Sequence, residues 1–141
     1  MRKVLADTGP LVALLNRTDS HHQRARVFFG RFKGVLYTTW PVLTETCHLL
    51  PRHLRTGFMR WVAGGGIAVQ DSTAEQAAII AALMERYADR PMDLADASLI
   101  CLADKLGITL VGGPPKTLTD TQNTDSATWA RVIRTANIKA D

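Results

Sequence analysis

An α/β fold built on a parallel sheet is the fold class that this sequence predicts, and three observations lead to it. Short apolar or β-rich runs stand at 3–6, 35–38, 67–70 and 108–111, and helical patterns separate them. Strands that alternate with helices are typical of a parallel sheet covered by helices on both faces. The 141 residues contain no internal repeat and no long linker, and this length suits one domain that buries its own core. A single domain spanning 1–141 is therefore expected.

The first strand ends at an acidic residue. Its apolar run stops at Asp7, and Thr8-Gly9-Pro10 follows. Pro favours the first turn of a helix and Thr or Gly favours the cap, so Thr8 or Gly9 is expected to cap a helix that begins near Pro10. Asp7 would then lie at the carboxyl end of a strand, where parallel sheets bind their ligands.

Capping and breaker residues predict the remaining elements. In chain order these are a helix at 20–32 opened by a capping box, a strand at 35–38, a helix capped by Thr39 with Pro41 in its first turn, a helix at 53–62, a strand at 67–70, a helix at 72–87 opened by a second capping box, a helix that starts near Asp93 and is closed by Gly107, a strand at 108–111, and a weak helix at 127–136.

Four acidic residues occupy comparable positions in this pattern. Asp7 follows the first strand, Glu45 lies about one turn into the helix after the second strand, and Asp93 and Asp96 open the helix before the fourth strand. Parallel strands can bring such carboxylates to one edge, where they repel one another unless a cation binds. Because Mg²⁺ and Mn²⁺ prefer carboxylate oxygens, the pattern indicates a divalent metal that acts on a phosphate ester.

Each acid also has a purely structural interpretation. Asp7 could cap the first helix, Glu45 could be a solvated acid near a helix N-terminus, and Asp93 and Asp96 could form a local capping pair. A phosphoacceptor role for Asp7, as in receiver domains, is disfavoured because no second Asp stands two residues after it.

Positive charge is concentrated in the first part of the chain. The whole chain carries a net +4, whereas residues 1–60 contain ten Lys/Arg and three acids, a net +7. A basic surface around an acidic pocket suits a polyanion such as RNA, although a solvated basic helix face is the alternative. The candidate contacts to an RNA backbone are Arg24, Arg26, Arg31 and Lys33.

Cysteine usage and hydropathy indicate a cytoplasmic protein. Cys47 and Cys101 lie in apolar helical patterns without metal-ligand spacing and are expected to be buried free thiols in a reducing compartment. No apolar run approaches the roughly 20 residues of a transmembrane helix, and Asp7 interrupts the N-terminal apolar run, so neither a membrane span nor a signal peptide is expected.

Three segments together resemble the PIN domain, and within it the VapC-type toxins of bacterial toxin–antitoxin pairs. They are VLADTGPLVALLNRTDSHH, the helix that bears Glu45, and MDLADASLICLADKLG followed by ITLV. The resemblance covers roughly residues 2–112 and leaves 113–141 as an irregular tail. It implies a three-layer sandwich around a central parallel sheet of four or five strands. It also implies a Mg²⁺- or Mn²⁺-dependent endoribonuclease that hydrolyses tRNA, rRNA or mRNA, forms a homodimer and is neutralised by a small antitoxin protein.

The resemblance also implies roles for individual acids. Asp7, Glu45 and Asp96 correspond to the family's catalytic, metal-binding acids, and Asp93 corresponds to an accessory catalytic acid. One position departs from the family pattern, since Gly112 stands where an acid usually follows the fourth strand. The cluster therefore predicts one metal ion rather than two. A catalytically weakened PIN-like module that binds RNA or protein is the alternative function.

Overall fold

The computed structural model describes residues 2–89 and 92–108, which form a parallel sheet flanked by helices. Its elements in chain order are β1 (Arg2–Leu5), α1 (Thr8–Leu15), α2 (His22–Arg31), β2 (Gly34–Thr39), α3 (Trp40–Leu49), α4 (Arg52–Ala63), β3 (Ala68–Gln70), α5 (Ala74–Arg86) and α6 (Leu94–Leu106). Within these residues no helix is both long and apolar enough to cross a membrane.

The sheet has the order β1-β2-β3 in the described residues, and both strand pairs are parallel. Leu5 pairs with Tyr37 of β2, and Tyr37 pairs with Ala68 of β3. The pairing of β1 with β2 continues past the end of β1, because the Ala6 N–H donates to the Tyr37 carbonyl at 2.8 Å. The Thr38 hydroxyl then donates back to the Ala6 carbonyl at 2.9 Å. The carboxyl ends of β1 and β2 are therefore held side by side directly before Asp7.

The main core lies between the sheet and the helices that follow its strands. The largest apolar cluster draws on β1, α1, α3, α4 and α6, and its buried members are Leu5, Ala6, Leu11, Val42, Leu43, Leu50, Phe58, Ile67, Ala95, Leu99, Leu102, Ala103 and Ile108. A second cluster, formed by Ile80, Met92, Ala97 and Cys101, packs α5 against α6. Because α6 contributes to both clusters, apolar contacts on two of its faces fix its orientation.

The predicted α/β fold with a parallel sheet is confirmed, and the first three predicted strands form within two residues of their expected bounds. The helix expected at 53–62 is α4. Of the fourth strand expected at 108–111 only Ile108 is described, and both Gly112 and the helix expected at 127–136 lie outside the described residues.

Three expected helix caps differ from those observed. Asp7 rather than Thr8 or Gly9 is the cap of α1. The box expected at 20–23 does not form, because α2 begins at His22 without a side-chain cap and Asp19 Oδ1 accepts the His21 N–H at 2.8 Å instead. The box expected at 72–75 is displaced by one residue and pairs Thr73 with Gln76. Local capping signals did not distinguish between adjacent polar residues, since each has a side-chain oxygen that suits the role.

Candidate active site at the carboxyl edge of the sheet

Asp7 lies where β1 passes into α1. Its backbone is extended, with φ −94° and ψ 169°, and its Oδ1 accepts the Thr8 N–H at 2.8 Å. The side chain is only 8 % exposed. One of the four backbone N–H groups that every helix leaves without an intrahelical partner is thereby satisfied. The structural interpretation of Asp7 as a cap is therefore correct, and the cap bond places a buried carboxylate oxygen at the edge of the sheet.

Thr8 contacts two of the predicted acids at once. Its backbone N–H donates to Asp7 Oδ1, and its hydroxyl donates to Glu45 Oε2, again at 2.8 Å. Glu45 is half-buried on α3, which begins directly after β2. Glu45 remains partly exposed to solvent, as the alternative of a solvated helix acid expects, but its carboxylate also accepts a hydrogen bond from the residue that follows Asp7. Thr8 was missed as a site residue in the sequence, where a Thr after a strand is equally typical of a helix cap.

Asp93 and Asp96 form a reciprocal capping box at the start of α6. The Asp96 N–H donates to Asp93 Oδ1 at 2.8 Å, and the Asp93 N–H donates to Asp96 Oδ2 at 3.4 Å. The two acids differ in their surroundings, because Asp93 is exposed whereas Asp96 is 7 % exposed. The alternative of a local capping pair is therefore correct, and Asp96 is the member of the pair that resembles Asp7 in burial.

The first turns of α6 are attached to the carboxyl end of β2. Thr39 Oγ1 and Ser98 Oγ are 2.7 Å apart, and both side chains are buried. Thr39 ends β2 one residue after Thr38, which is bonded to Ala6. This contact brings the helix that carries Asp96 to the same edge as Asp7. Neither hydroxyl was predicted to take part in the site, because Thr39 was interpreted only as a cap for α3; the structure shows that it makes no side-chain cap bond there.

Helix N-termini surround this edge. α1 and α3 begin at the carboxyl ends of β1 and β2, and α5 follows β3. An apolar groove of about 480 Å³ is lined mostly by α5, together with Pro41 from the first turn of α3 and Leu94 from the first turn of α6. The positive ends of the helix dipoles stabilise nearby carboxylates in their ionised form and attract phosphate groups.

Comparison with known protein families gives a match over most of the chain. The PIN domain model matches residues 4–112. The chain belongs to the PIN domain family. The segments that resembled this family in the sequence carry Asp7, Glu45 and Asp96, and they are the ones that meet at the carboxyl edge. Family membership supports a nuclease, a hydrolase of phosphodiester bonds, as the general activity.

A solved structure shares the fold of this PIN domain. Superposition on VapC20 of Mycobacterium tuberculosis, a toxin that cleaves the sarcin-ricin loop, has a TM-score of 0.68 with 24% sequence identity and covers 73% of this chain and 82% of VapC20. Comparison with curated protein sequences gives no match.

The donor chemistry of the PIN domain site fits a hard divalent cation. The side chains at the edge offer carboxylate and hydroxyl oxygens, and Mg²⁺ takes such oxygens while keeping several waters and only one or two protein carboxylates. Within residues 2–89 and 92–108, no group of three or more His, Cys, Asp or Glu side chains is arranged to hold a metal ion. The assignment of Asp7, Glu45 and Asp96 as metal ligands thus stays a prediction.

Of the four basic residues predicted to contact RNA, Arg26, Arg31 and Lys33 lie near the amino ends of β2 and β3. Arg24, Arg26 and Arg31 are exposed on α2, and Lys33 is exposed directly before Gly34, the first residue of β2. Arg26 lines a cavity of about 790 Å³ together with Gly34 and Ala68, the first residues of β2 and β3. The rise along β2 from Gly34 to Thr39 is about 17 Å. RNA that contacts Arg26 or Lys33 would therefore have to extend along the full height of the sheet to reach the acids.

Both cysteines are free thiols, as expected. Cys101 is buried between α5 and α6, and burial raises the pKa of its thiol, with the charge of Asp104 raising the pKa further. Cys47 is half-buried rather than buried. The prediction of free thiols is confirmed, and that of full burial holds for Cys101 alone.

Proposed function

We propose that this PIN domain is a Mg²⁺- or Mn²⁺-dependent endoribonuclease and the toxin of a type II toxin–antitoxin pair. The observation that carries the proposal is the double contact of Thr8, which joins Asp7 to Glu45 across two elements. Two carboxylates held close to each other repel one another, and a bound cation removes that repulsion. The family match over 4–112 supports hydrolysis of a phosphodiester as the reaction.

Each acid has a distinct part in this proposal. Asp7 and Asp96, the two buried acids, would hold the metal ion, and Glu45 would hold it directly or through water. Asp93 would assist by capping α6 and fixing the backbone of Asp96. When bound, a divalent ion supplies a water of lowered pKa and neutralises negative charge on the phosphate. Thr8 keeps Glu45 in one orientation, and the helix N-termini at the edge attract the anionic substrate.

The substrate and partners follow from the same family. We infer that the substrate is RNA, and a structured ribosomal loop is one candidate because VapC20, which shares the fold, cleaves the sarcin-ricin loop. tRNA and mRNA are the other candidates. A homodimer, a small antitoxin that neutralises the enzyme, and a cytoplasmic location belong to the proposal as well.

The test is RNA cleavage in the presence of Mg²⁺ or Mn²⁺. Asp7→Asn and Asp96→Asn keep an oxygen that can accept the cap bonds but remove the negative charge. We expect each to lower the rate by about a hundredfold or more, because charge stabilisation by a metal is worth several kcal/mol. Asp104→Asn, an exposed position far along α6, is the matched control. Equal rates in all four proteins would contradict the proposal.

A second candidate is a PIN domain that binds RNA or a protein partner without cleaving it. Two observations favour it: the lack of a three-ligand group in the part of the chain that the structure describes, and Gly112 in the sequence where the family usually has an acid. Calorimetric titration with Mn²⁺ distinguishes the two candidates. RNA retention without Mn²⁺ binding at millimolar concentrations supports the binding module.

A further inference from the structure

Two buried hydroxyl groups link the strand that ends beside Asp7 to the helix that carries Asp96. Thr39 Oγ1 and Ser98 Oγ are 2.7 Å apart and belong to residues 59 positions apart in sequence. Their side chains are 2 % and 1 % exposed, so water does not compete for either hydroxyl. The contact joins the last residue of β2 to the early part of α6.

The direction of this hydrogen bond follows from the number of protons. The Ser98 hydroxyl donates to the Ala95 carbonyl at 2.7 Å. A carbonyl can only accept and a Ser hydroxyl has one proton, so the Thr39 hydroxyl is the donor to Ser98 Oγ. The resulting chain of hydrogen bonds runs from the Thr39 hydroxyl through the Ser98 hydroxyl to the Ala95 carbonyl. Ala95 immediately precedes Asp96 and Ser98 follows it by two residues, so the chain holds the backbone on both sides of Asp96.

Burial alone does not require these hydroxyls. Replacing both partners of a buried hydrogen bond with apolar groups of similar shape is close to neutral for stability. Leu99 and Leu102 already anchor α6 in the apolar core. The two hydrogen bonds additionally fix the position and orientation of the start of α6 relative to β2. A buried hydrogen bond is stable only over a narrow range of distances and angles.

Hydrogen bonds also attach β2, the strand that carries Thr39, to the residue before Asp7. The Ala6 N–H bonds to the Tyr37 carbonyl, and the Thr38 hydroxyl bonds to the Ala6 carbonyl, so the residue before Asp7 is bonded on both sides to β2. Thr39 is the next residue of that strand. A displacement of Thr39 relative to Ser98 would therefore change the separation between Asp7 and Asp96.

We propose that Thr39 and Ser98 are positioning residues that hold Asp96 at the separation from Asp7 that metal binding needs. The proposal rests on the proposed function, and it adds two residues that carry no charge and do not themselves hold the ion. Residues that orient metal ligands affect metal affinity more than their own contact energy would indicate.

The experiment measures Mn²⁺ affinity by calorimetry and thermal unfolding in the presence of chelator. Ser98→Ala and Thr39→Val remove one hydroxyl each, and Thr39→Ser keeps the hydroxyl while removing the methyl group. Thr46→Val is the matched control, because Thr46 is fully buried and its hydroxyl donates within α3, to the Val42 carbonyl at 2.7 Å. Amide hydrogen exchange of the first turn of α6 in chelator gives a readout that requires no metal.

We expect Ser98→Ala and Thr39→Val to raise the dissociation constant for Mn²⁺ about tenfold or more. Both should also speed exchange at the first turn of α6. Thr39→Ser should bind Mn²⁺ like the wild type, and Thr46→Val should do so even if its unfolding temperature falls. Wild-type affinity in both Ser98→Ala and Thr39→Val overturns this proposal alone. Absence of Mn²⁺ binding by the wild-type protein overturns the proposed function and this proposal together.

Discussion

The hydroxyl of Thr8 donates to Glu45 Oε2 at 2.8 Å, while the N–H of the same residue donates to Asp7 Oδ1. The bond joins α1 to α3, two helices that follow adjacent strands. Hydrogen bonds to a charged acceptor are stronger than neutral ones and fix the orientation of the carboxylate. One uncharged residue thus contacts two of the acids predicted to form the site.

Removing the Thr8 hydroxyl should strongly lower the rate of RNA cleavage while only slightly lowering the free energy of unfolding. Thr8→Val keeps the shape of this buried side chain but leaves Glu45 without its donor. We expect RNA cleavage to fall about tenfold, as for other residues that orient metal ligands, and the free energy of unfolding to fall by only about 1 kcal/mol. Single-turnover cleavage and denaturant unfolding measure the two effects. Thr8→Ser retains the hydroxyl and should restore the rate; a rate as low as that of Thr8→Val would contradict the role of the hydrogen bond.

Substitutions at Asp93 distinguish a role as a helix cap from a role as a catalytic acid. Asp93 is exposed, and its carboxylate accepts the Asp96 N–H at 2.8 Å. Asn can make the same bond without charge, so we expect Asp93→Asn to keep both stability and cleavage. Asp93→Ala should lose about 1 kcal/mol of stability through the missing cap. Thermal unfolding and cleavage assays measure these outcomes. A large loss of activity in a fully stable Asp93→Asn protein would instead make Asp93 a catalytic acid.

The basic residues near the amino end of β2 should contribute to the binding of long RNA but not of short RNA. Lys33 precedes Gly34, about 17 Å along β2 from Thr39. We expect Arg31→Ala/Lys33→Ala to raise KM for a long structured RNA and to reduce the salt dependence of its binding, because fewer phosphates are neutralised. A short oligonucleotide that spans only the acidic edge serves as the internal control and should be cleaved as by the wild type. An equal rise in KM for both substrates would place these residues at the acidic edge.

The two thiols should react at different rates. Burial and the charge of Asp104 raise the pKa of Cys101, so less of it is thiolate at a given pH, whereas Cys47 is only half-buried. Alkylation at pH 8 should therefore modify Cys47 first and Cys101 slowly, as mass spectrometry of peptides would show. In denaturant the two rates should converge. Faster labelling of Cys101 in the folded protein would contradict its buried position.

The raised pKa of Cys101 also predicts the pH dependence of stability. As pH rises past the ordinary pKa of a thiol, the Cys101 thiol ionises in the unfolded chain but stays protonated in the folded protein. The contribution of Cys101 to stability is therefore complete below that pH and is lost as the pH rises through the folded pKa. Cys101→Ala should weaken this alkaline loss in denaturant unfolding measured from pH 7 to pH 10. An unchanged alkaline loss in that variant would exclude Cys101 as its source.

The order of the described strands and helices could be predicted from the sequence alone. Alternating runs predicted the parallel sheet, and its direction placed Asp7 at a carboxyl edge. Gly107, at φ +67°, closes α6 where the sequence indicated, because a left-handed residue there is most easily glycine. These features depend on short-range preferences, which neighbouring residues express without the rest of the fold.

Only the tertiary structure decided which polar side chains meet. Thr8 and Glu45 are 37 positions apart, and Thr39 and Ser98 are 59 positions apart. Nothing in local sequence distinguishes a Thr that caps a helix from one that bonds to a distant element, because both are buried polar residues at the end of a strand. The same limitation applies to Arg26 and Lys33, whose charge predicted RNA contact but whose place at the opposite edge follows from the path of α2. Long-range hydrogen bonds depend on how the helices pack on the sheet, and that packing is a property of the whole chain.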